Sequence, residues 1–318
     1  MKNFIVNALK GVGMGVANVI PGVSGGTIAL IVGIFERLIN SLKSFNLTAL
    51  KLLFTGKFKE FAKHTDFVFL FEVVLGMAVA MISVAKLFKF LFENYPVYIW
   101  AFFLGLLIAS IFYVGKTIQK WNIWVVLFFL IGAGISLLIS FGTPAQENDN
   151  FFYLILCGAI GASGMILPGI SGSYILVLMG DYQLVVINGI DMLTKSPMES
   201  MKILLPVVIG AIVGILAFAH VLAWIFKHYH DMTIALLTGF IVGSLPIIWP
   251  WKENISETLS NGKEIVTGYN WKLPEMNSEF VIALSIIVIG AALIIITETI
   301  ANHKKKKENE EKTERLKG

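Results

Sequence analysis

The sequence contains little of what soluble enzymes and metalloproteins depend on, because charged residues, arginine and cysteine are all scarce. Only 14% of its 318 residues are charged, and Arg37 and Arg315 are the two arginines. A single cysteine, Cys157, excludes a disulfide framework and a cysteine-based metal cluster. The five histidines have no metal-ligand spacing, and no Walker A, HExxH or GxSxG motif occurs. The sequence therefore predicts no catalytic residue, no metal and no cofactor.

Apolar residues, by contrast, make up 56% of the chain, and the mean hydropathy is +0.78. A soluble domain cannot bury this much apolar surface, so the sequence predicts an all-α polytopic membrane protein. The net charge of +4 is concentrated in loops and tails, which indicates membrane topology and not nucleic-acid binding. The stretches that reach the length of a membrane span, roughly 20 residues, are 67–92, 97–115, 121–141, 203–226, 232–250 and 279–300.

Two related motifs interrupt the other apolar regions. The first is Pro21-Gly22-Val23-Ser24-Gly25-Gly26-Thr27, and the second is Pro168-Gly169-Ile170-Ser171-Gly172-Ser173-Tyr174. Pro21 and Pro168 lack a backbone N–H and are predicted to break the incoming helix, while the glycines permit tight turns. In lipid such a break survives only where protein or a water-lined cavity satisfies the freed backbone groups. A helix restarting after the break would direct N–H groups and its positive dipole end at that cavity, which favours an anion site.

Each motif region is too short for two full spans, so it is either one broken span or a re-entrant hairpin of two half-helices. Charge placement favours hairpins at 4–42 and 151–191. With two hairpins, the Lys-rich segment 43–66 and the tail 302–318 lie on the same side as the N-terminus, whereas single spans would separate them. The positive-inside rule then predicts that both termini are cytoplasmic.

The spacing of the motifs indicates an internal repeat. Pro21 and Gly33 align with Pro168 and Gly180 at one separation of 147 residues. We predict a first repeat over 1–142 and a second over 143–301, each with a hairpin and three spans. Because three is odd, the second repeat would start on the opposite face, so the repeats would be inverted, as in many secondary transporters.

Three polar segments complete the predicted organisation. Residues 43–66 combine lysines with leucine and phenylalanine, which is typical of an amphipathic helix on an anionic membrane surface. Residues 251–278 are predicted to be a long outer loop, polar and without a strong sequence pattern. Residues 302–318 are predicted to be a charged, disordered tail on the cytoplasmic side.

Two opposed motifs near the midplane would form one pocket for an anion. The competing interpretation is that their small residues serve only close helix packing. Two copies in mirrored positions favour a ligand site, in which serine and threonine hydroxyls donate and glycines expose backbone N–H groups. The predicted substrate-binding residues are Ser24, Gly25, Gly26, Thr27, Arg37, Ser171, Gly172 and Ser173.

Ionisable residues near the motifs are candidates for proton coupling. Glu36 and Arg37 either cap a half-helix at the membrane surface or act on the substrate, with Arg37 attracting phosphate and Glu36 carrying a proton. Glu72 is either interfacial or a buried proton carrier. Asp181 lies near the corresponding position of the second copy, where arginine is absent.

Residues around both motifs resemble those of the PopT family of polyprenyl-phosphate transporters, and the resemblance covers nearly the whole chain. The second copy departs from the first at Ser173 and Tyr174, where the first has Gly26 and Thr27. The residues that carry the resemblance are Gly13-Met14-Gly15, the run from Asn18 to Thr27, Gly33-Ile34-Phe35-Glu36-Arg37-Leu38 and Leu167-Pro168-Gly169-Ile170-Ser171-Gly172-Ser173.

The resemblance implies a bacterial or archaeal plasma-membrane protein that returns undecaprenyl phosphate from the outer to the inner leaflet for reuse in cell-envelope synthesis. Its partners would be the lipid-linked phosphate, membrane lipids and, as a candidate assembly, a second copy of the chain. The resemblance does not assign the phosphate-binding residues, which follow from the helix-end argument above.

Two other functions compete with this interpretation. A proton-coupled transporter of small anions or organic acids could use the same opposed helix ends. A membrane phosphatase or transferase acting on lipid phosphate is disfavoured, because the sequence has no clustered His/Asp/Arg constellation.

Overall fold

Helices form most of the regular structure in the computed structural model, which describes residues 2–19, 24–142, 144–169, 171–189, 192, 195–258 and 264–315. The first-half helices are α1 (Lys2–Val19), α2 (Gly25–Ile31), α3 (Phe35–Lys43), α4 (Leu47–Phe54), α5 (Phe58–His64), α6 (Phe67–Asn94), α7 (Pro96–Gly115) and α8 (Ile123–Ser140). The second-half helices are α9 (Phe151–Ile166), α10 (Gly172–Leu178), a π-helix (Gln183–Asn188), α11 (Pro197–His228), α12 (His230–Gly243), α13 (Leu245–Ile248) and α14 (Ser278–Arg315). Within the described residues, β1 (Lys252–Thr258) and β2 (Glu264–Trp271) form an antiparallel hairpin between α13 and α14.

Among the described residues, four helices are long and apolar enough to cross a membrane, which confirms a mainly helical, multi-pass membrane protein. They are Pro96–Gly115, Ile123–Ser140, Pro197–His228 and Ser278–Ile296. The predicted span 232–250 is divided in the structure, because α12 ends at Gly243 and α13 begins at Leu245. Pro246 has no N–H with which to continue the hydrogen bonding of α12.

Close glycine contacts join helices within each half. A Cβ atom on Gly76 of α6 would lie 2.0 Å from the carbonyl oxygen of Ala8 on α1. A Cβ atom on Gly210 of α11 would lie 1.9 Å from the carbonyl oxygen of Ile155 on α9. Ala8 and Ile155 are separated by the same 147 residues as the two motifs. The two helix pairs therefore meet at equivalent positions of the predicted repeats, and each needs glycine for its backbone approach.

Two further glycine contacts join one half to the other. Gly105 of α7 faces the carbonyl oxygen of Ile287 on α14, and Gly239 of α12 faces that of Phe129 on α8. Gly105 and Gly239 are separated by 134 residues, as are the contact glycines of α6 and α11. This reciprocal pairing supports the predicted repeats, and their inverted arrangement in a membrane stays a prediction.

The short helices α2 and α10 follow the two motifs and end in the same way. Gly33 after α2 and Gly180 after α10 have φ angles of +69° and +82°, a left-handed conformation that glycine adopts without strain. The turn at Gly33 lets the chain change direction by 118° between α2 and α3. α2 packs against α1, and α10 packs against α9. The hairpins at 4–42 and 151–191 stay predictions, because their depth in a membrane is set by lipid.

Both the predicted outer loop 251–278 and the predicted tail 302–318 contain regular secondary structure. Within the predicted outer loop 251–278, β1 pairs with β2 and Lys252 lies opposite Trp271. Strand β2 is rich in β-branched and aromatic residues, which favour strands. The tail 302–318 is predicted to be disordered, but α14 continues through it to Arg315. Lysine and glutamate dominate this tail, and both are good helix formers.

Helices α4 and α5 form the amphipathic segment predicted at 43–66. Leu47, Phe54 and Phe58 are exposed in this segment, with exposed fractions of 83%, 81% and 65%. Apolar side chains displayed beside lysines fit a helix pair that lies on a membrane surface. Placement of this segment on the cytoplasmic leaflet stays a prediction.

Candidate functional site

The two motifs are in direct contact, although 141 residues separate Ser24 from Met165. Ser24 begins α2 as its N-cap, and its hydroxyl oxygen accepts a hydrogen bond of 3.1 Å from the N–H of Gly26. The same hydroxyl donates to the carbonyl oxygen of Met165, at the end of α9, over 3.0 Å. Ser24 therefore caps its own helix and holds the second copy at the same time.

Thr27 and Gly26 complete this junction. The Thr27 hydroxyl oxygen accepts a hydrogen bond of 2.8 Å from the N–H of Gly169, which is part of the second motif. A Cβ atom on Gly26 would lie 2.0 Å from the carbonyl oxygen of Ile166, so only glycine fits there without a shift of backbone. Thr27 is 1% exposed. The first motif is therefore closed, with the Ser24 hydroxyl bonded to the backbone at the end of α9 and the Thr27 hydroxyl bonded to the backbone of the second motif.

The second motif is more open. The hydroxyls of Ser171 and Ser173 bond to each other over 2.9 Å, and Ser173 is exposed. Gly172 begins α10 and lies against the carbonyl oxygen of Gly161 on α9, where a Cβ would come within 2.3 Å. The helix α9 ends at Ile166, two residues before Pro168. Pro21 lies outside the described residues.

A cavity of about 440 Å³ opens beside the second motif, between α9, α10 and α11. Ser24, Ser171 and Ser173 contribute its hydroxyl groups, and the remaining lining is mostly apolar or glycine. No charged side chain lines this cavity among the described residues. Hydroxyl and backbone donors in an apolar wall can replace part of the hydration shell of a phosphate.

Arg37 lies away from this cavity. Its guanidinium makes a bidentate ion pair with Asp66, with distances of 2.6 Å from Nε and 3.0 Å from an Nη atom, and it covers the ring of Phe69. The ion pair borders a separate open cavity of about 530 Å³, together with the exposed Glu36. The structure does not bring Arg37 or Glu36 together with the serines of either motif.

The other two acidic candidates are buried in different halves. Glu72 on α6 is 6% exposed and accepts a hydrogen bond of 2.6 Å from the side-chain amide of Asn7 on α1. Asp181, after α10, is fully buried and accepts hydrogen bonds from the N–H of Asn148 and the thiol of Cys157. The sequence analysis missed these three partners, since nothing in local spacing connects them to their carboxylates. Their contacts leave proton coupling by Glu72 or Asp181 a prediction.

No group of three or more His, Cys, Asp or Glu side chains among the described residues is arranged to hold a metal ion. Lys10 also reaches the first motif region, because its ammonium donates to the carbonyl oxygen of Val32 at the end of α2 over 2.8 Å. A cation at the end of a helix stabilises its terminal carbonyl groups.

One family model and two curated proteins match most of the chain. A family model described as undecaprenyl phosphate translocase-like matches residues 14–266. A protein of Vibrio cholerae named polyprenyl-phosphate transporter is 33% identical over 307 residues, which cover 94% of this chain and 97% of the relative. A Staphylococcus aureus protein of the same name is 32% identical over 257 residues, covering 77% of this chain and 86% of the relative. No solved structure matches the chain.

Proposed function

The chain belongs to the undecaprenyl phosphate translocase-like family, and on that basis we propose that it carries undecaprenyl phosphate across the plasma membrane. The relatives are named transporters and not enzymes, which agrees with the absence of catalytic motifs from the sequence. The proposed direction is from the outer to the inner leaflet, where the carrier is reused for cell-envelope synthesis.

The observation that carries this proposal is the cavity beside the second motif. It combines three serine hydroxyls with a mostly apolar lining, in a protein that has several membrane spans. Bringing a phosphate into hydrocarbon without partners costs several kcal/mol or more. Donors from Ser171, Ser173 and the adjoining backbone replace water around the head group. The prenyl tail stays in lipid, so an opening between helices is sufficient for passage.

The contact between the motifs suggests how access alternates. In the described arrangement the first motif is closed onto the second, and the second faces the cavity. In an inverted repeat the two halves can exchange these arrangements, which would present the first motif to the opposite leaflet. This exchange gives the head group one pocket with two exits.

The proposal is tested with proteoliposomes that contain radiolabelled undecaprenyl phosphate and receive an external phosphatase. In protein-free liposomes the inner-leaflet lipid stays protected, whereas the wild-type protein should expose the whole pool. The Ser171→Ala/Ser173→Ala variant should slow this exposure at least about tenfold, since each hydrogen bond to a charged group contributes roughly 1.5–3 kcal/mol. The matched control is Ser285→Ala, which removes a hydroxyl from the exposed face of α14.

Two results would contradict the proposal. Continued protection of the inner-leaflet lipid by correctly inserted wild-type protein would exclude lipid translocation. Uptake of labelled soluble anions by the same proteoliposomes, without lipid movement, would favour the small-anion transporter. Lipid confined at the start to one leaflet, with and without a proton gradient, measures direction and coupling.

A further inference from the structure

Lys252 is the first residue of β1, and its ammonium group is buried. Its Nζ atom lies 3.7 Å from the ring centre of Trp100 on α7 and 4.6 Å from that of Tyr269 on β2. Among the described residues this Nζ has no hydrogen-bond acceptor, although it is buried. Aromatic faces stabilise an ammonium group but leave its three N–H donors without acceptors.

Lys252 differs in its burial and in its partners from another lysine beside the same hairpin. Lys272, just after β2, has 54% of its side chain exposed and pairs with the carboxylate of Glu253. The exposed lysine therefore has a carboxylate, whereas the buried one has none. An isolated buried ammonium is costly to a fold, and burial lowers the pKa of Lys252 to about 7. A phosphate oxygen is the type of acceptor that would complete its environment.

The position of Lys252 connects it to the candidate site. Tyr269 and Trp100 belong to one buried cluster with Tyr174, which directly follows Ser173 in the second motif. The serine-lined cavity contains no cation among the described residues, so it offers a phosphate no compensating charge. The predicted topology places the β-hairpin on the outer side. The ring partners of Lys252 therefore connect the predicted outer side with the cluster that contains Tyr174.

An apolar groove of about 500 Å³ lies next to this cluster; Lys252, Trp100 and Tyr269 are not in its lining, which includes Lys272. Leu104 and Ile108 line it from α7, and they follow Trp100 at intervals of four residues, on one face of that helix. Trp271, the register partner of Lys252 on β2, lines it from the hairpin. Ile108 is 48% exposed. A groove with apolar walls next to a buried cation is complementary to a phosphate that carries an alkyl chain.

We propose that Lys252, between Trp100 and Tyr269, receives the phosphate of a prenyl phosphate on the outer side, with the first isoprene units in the groove along α7. This inference rests on the proposed function and adds a receiving site to it. The chemistry recognised is a phosphate monoester, so free phosphate and a lipid head group must be distinguished by experiment.

The test measures equilibrium binding of radiolabelled farnesyl phosphate to the purified full-length protein, with farnesol and inorganic phosphate as separate probes. Lys252→Met should weaken farnesyl phosphate binding at least about thirtyfold, because it removes one partner of a buried charge pair. Lys252→Arg should retain most of the affinity, and the control Lys202→Met, at an exposed lysine of α11 that pairs with Glu199, should stay within about twofold of wild type. Ile108→Trp should weaken farnesyl phosphate binding while leaving any binding of inorganic phosphate unchanged.

The outcomes separate this inference from the proposed function. Wild-type affinity in a folded Lys252→Met protein would overturn the receiving site and leave transport intact. Binding of inorganic phosphate as tight as that of farnesyl phosphate, and equally dependent on Lys252, would overturn the assignment to a lipid. If the wild-type protein does not bind farnesyl phosphate and does not move undecaprenyl phosphate in liposomes, both proposals fail.

Discussion

The two motifs have nearly the same sequence but different surroundings. In the first, Ser24 and Thr27 are almost completely buried, and their hydroxyls bond to the backbone of Met165 in α9 and of Gly169 in the second motif. In the second, Ser171 and Ser173 bond to each other beside an open cavity. The repeated motif thus forms a buried junction in one half and part of a cavity wall in the other. A repeated sequence predicts equivalent backbones in the two halves, but it does not predict that both halves make the same contacts in one conformation.

The asymmetry extends to the buried carboxylates. Asn7 and Glu72 bond to each other in the first half, while Leu154 and Pro206 occupy the equivalent positions of the second half. Asp181 in the second half has no acidic counterpart, since Ile34 occupies the aligned position. Both carboxylates are buried in this one structure, so an exchange of arrangements between the halves would change the surroundings of Glu72 and of Asp181 in different ways.

The largest effect is expected where the two halves touch most closely. Gly26→Ala would place a Cβ 2.0 Å from the carbonyl oxygen of Ile166, so the motifs must separate. Overpacking of this kind typically costs about 1–3 kcal/mol, and backbone cannot yield as a side chain does. We expect transport in the phosphatase assay to be nearly abolished and the Tm to fall.

The control for this change is Gly134→Ala, because Gly134 on α8 has open space at its Cβ position. This control should keep wild-type transport and Tm. Wild-type transport by Gly26→Ala would show that the described contact between the motifs is not part of the transport cycle.

A smaller effect is expected from the hydrogen bond that joins the motifs. Thr27→Val keeps the side-chain shape but leaves the N–H of Gly169 buried without its acceptor, at a cost of roughly 1–3 kcal/mol. We expect a lower Tm and faster opening of the cavity. Cys157, the only cysteine in the sequence, lines that cavity and serves as a native reporter through its rate of modification by a methanethiosulfonate reagent.

Thr238→Val is the matched control for Thr27→Val, since Thr238 is equally buried but donates only to Ile234 of its own helix. Its modification rate at Cys157 should equal that of the wild type. Equal rates in all three proteins would mean that the Thr27 contact does not keep the halves together.

Much of the architecture can be predicted from the sequence, because the lengths of the apolar segments and the spacing of the motifs can be measured there directly. The helical, multi-pass fold follows from apolar length, whereas the family was predicted from the resemblance of the motif residues. The separation of 147 residues also connects the contacts of Ala8 and Ile155. The strands β1 and β2 were missed because the polar composition of 251–278 outweighed the β-branched residues of β2. The division of the span 232–250 had a visible signal in Pro246.

The candidate site was less accessible to sequence reasoning. Both motifs could be singled out from Pro and Gly within apolar runs, but their unequal arrangement depends on tertiary contacts between residues about 140 positions apart. Arg37 was expected beside the phosphate because intramembrane charge suggests function, yet Asp66 lies within hydrogen-bonding distance and accepts from two of its N–H donors. No sequence motif marked Lys252 as a candidate, because the burial of its ammonium group depends on how the β-hairpin packs on α7.

The smallest effect is expected from the carboxylates, and it bears on which half carries a proton. Glu72→Gln preserves size and can still bond to Asn7, so the fold should be retained. Because Asn7 is a neutral donor, Glu72 can accept a proton without breaking an ion pair to this partner. Asp181 accepts hydrogen bonds from the N–H of Asn148 and the thiol of Cys157, so its protonation would disturb two contacts within the second half. We therefore expect Glu72→Gln to remove the difference in lipid transport rate with and without a proton gradient, while Asp181→Asn and the exposed Glu36→Gln keep that difference. Retention of gradient dependence in Glu72→Gln, together with its loss in Asp181→Asn, would move the proton to the second half and reverse the division of roles between the two halves.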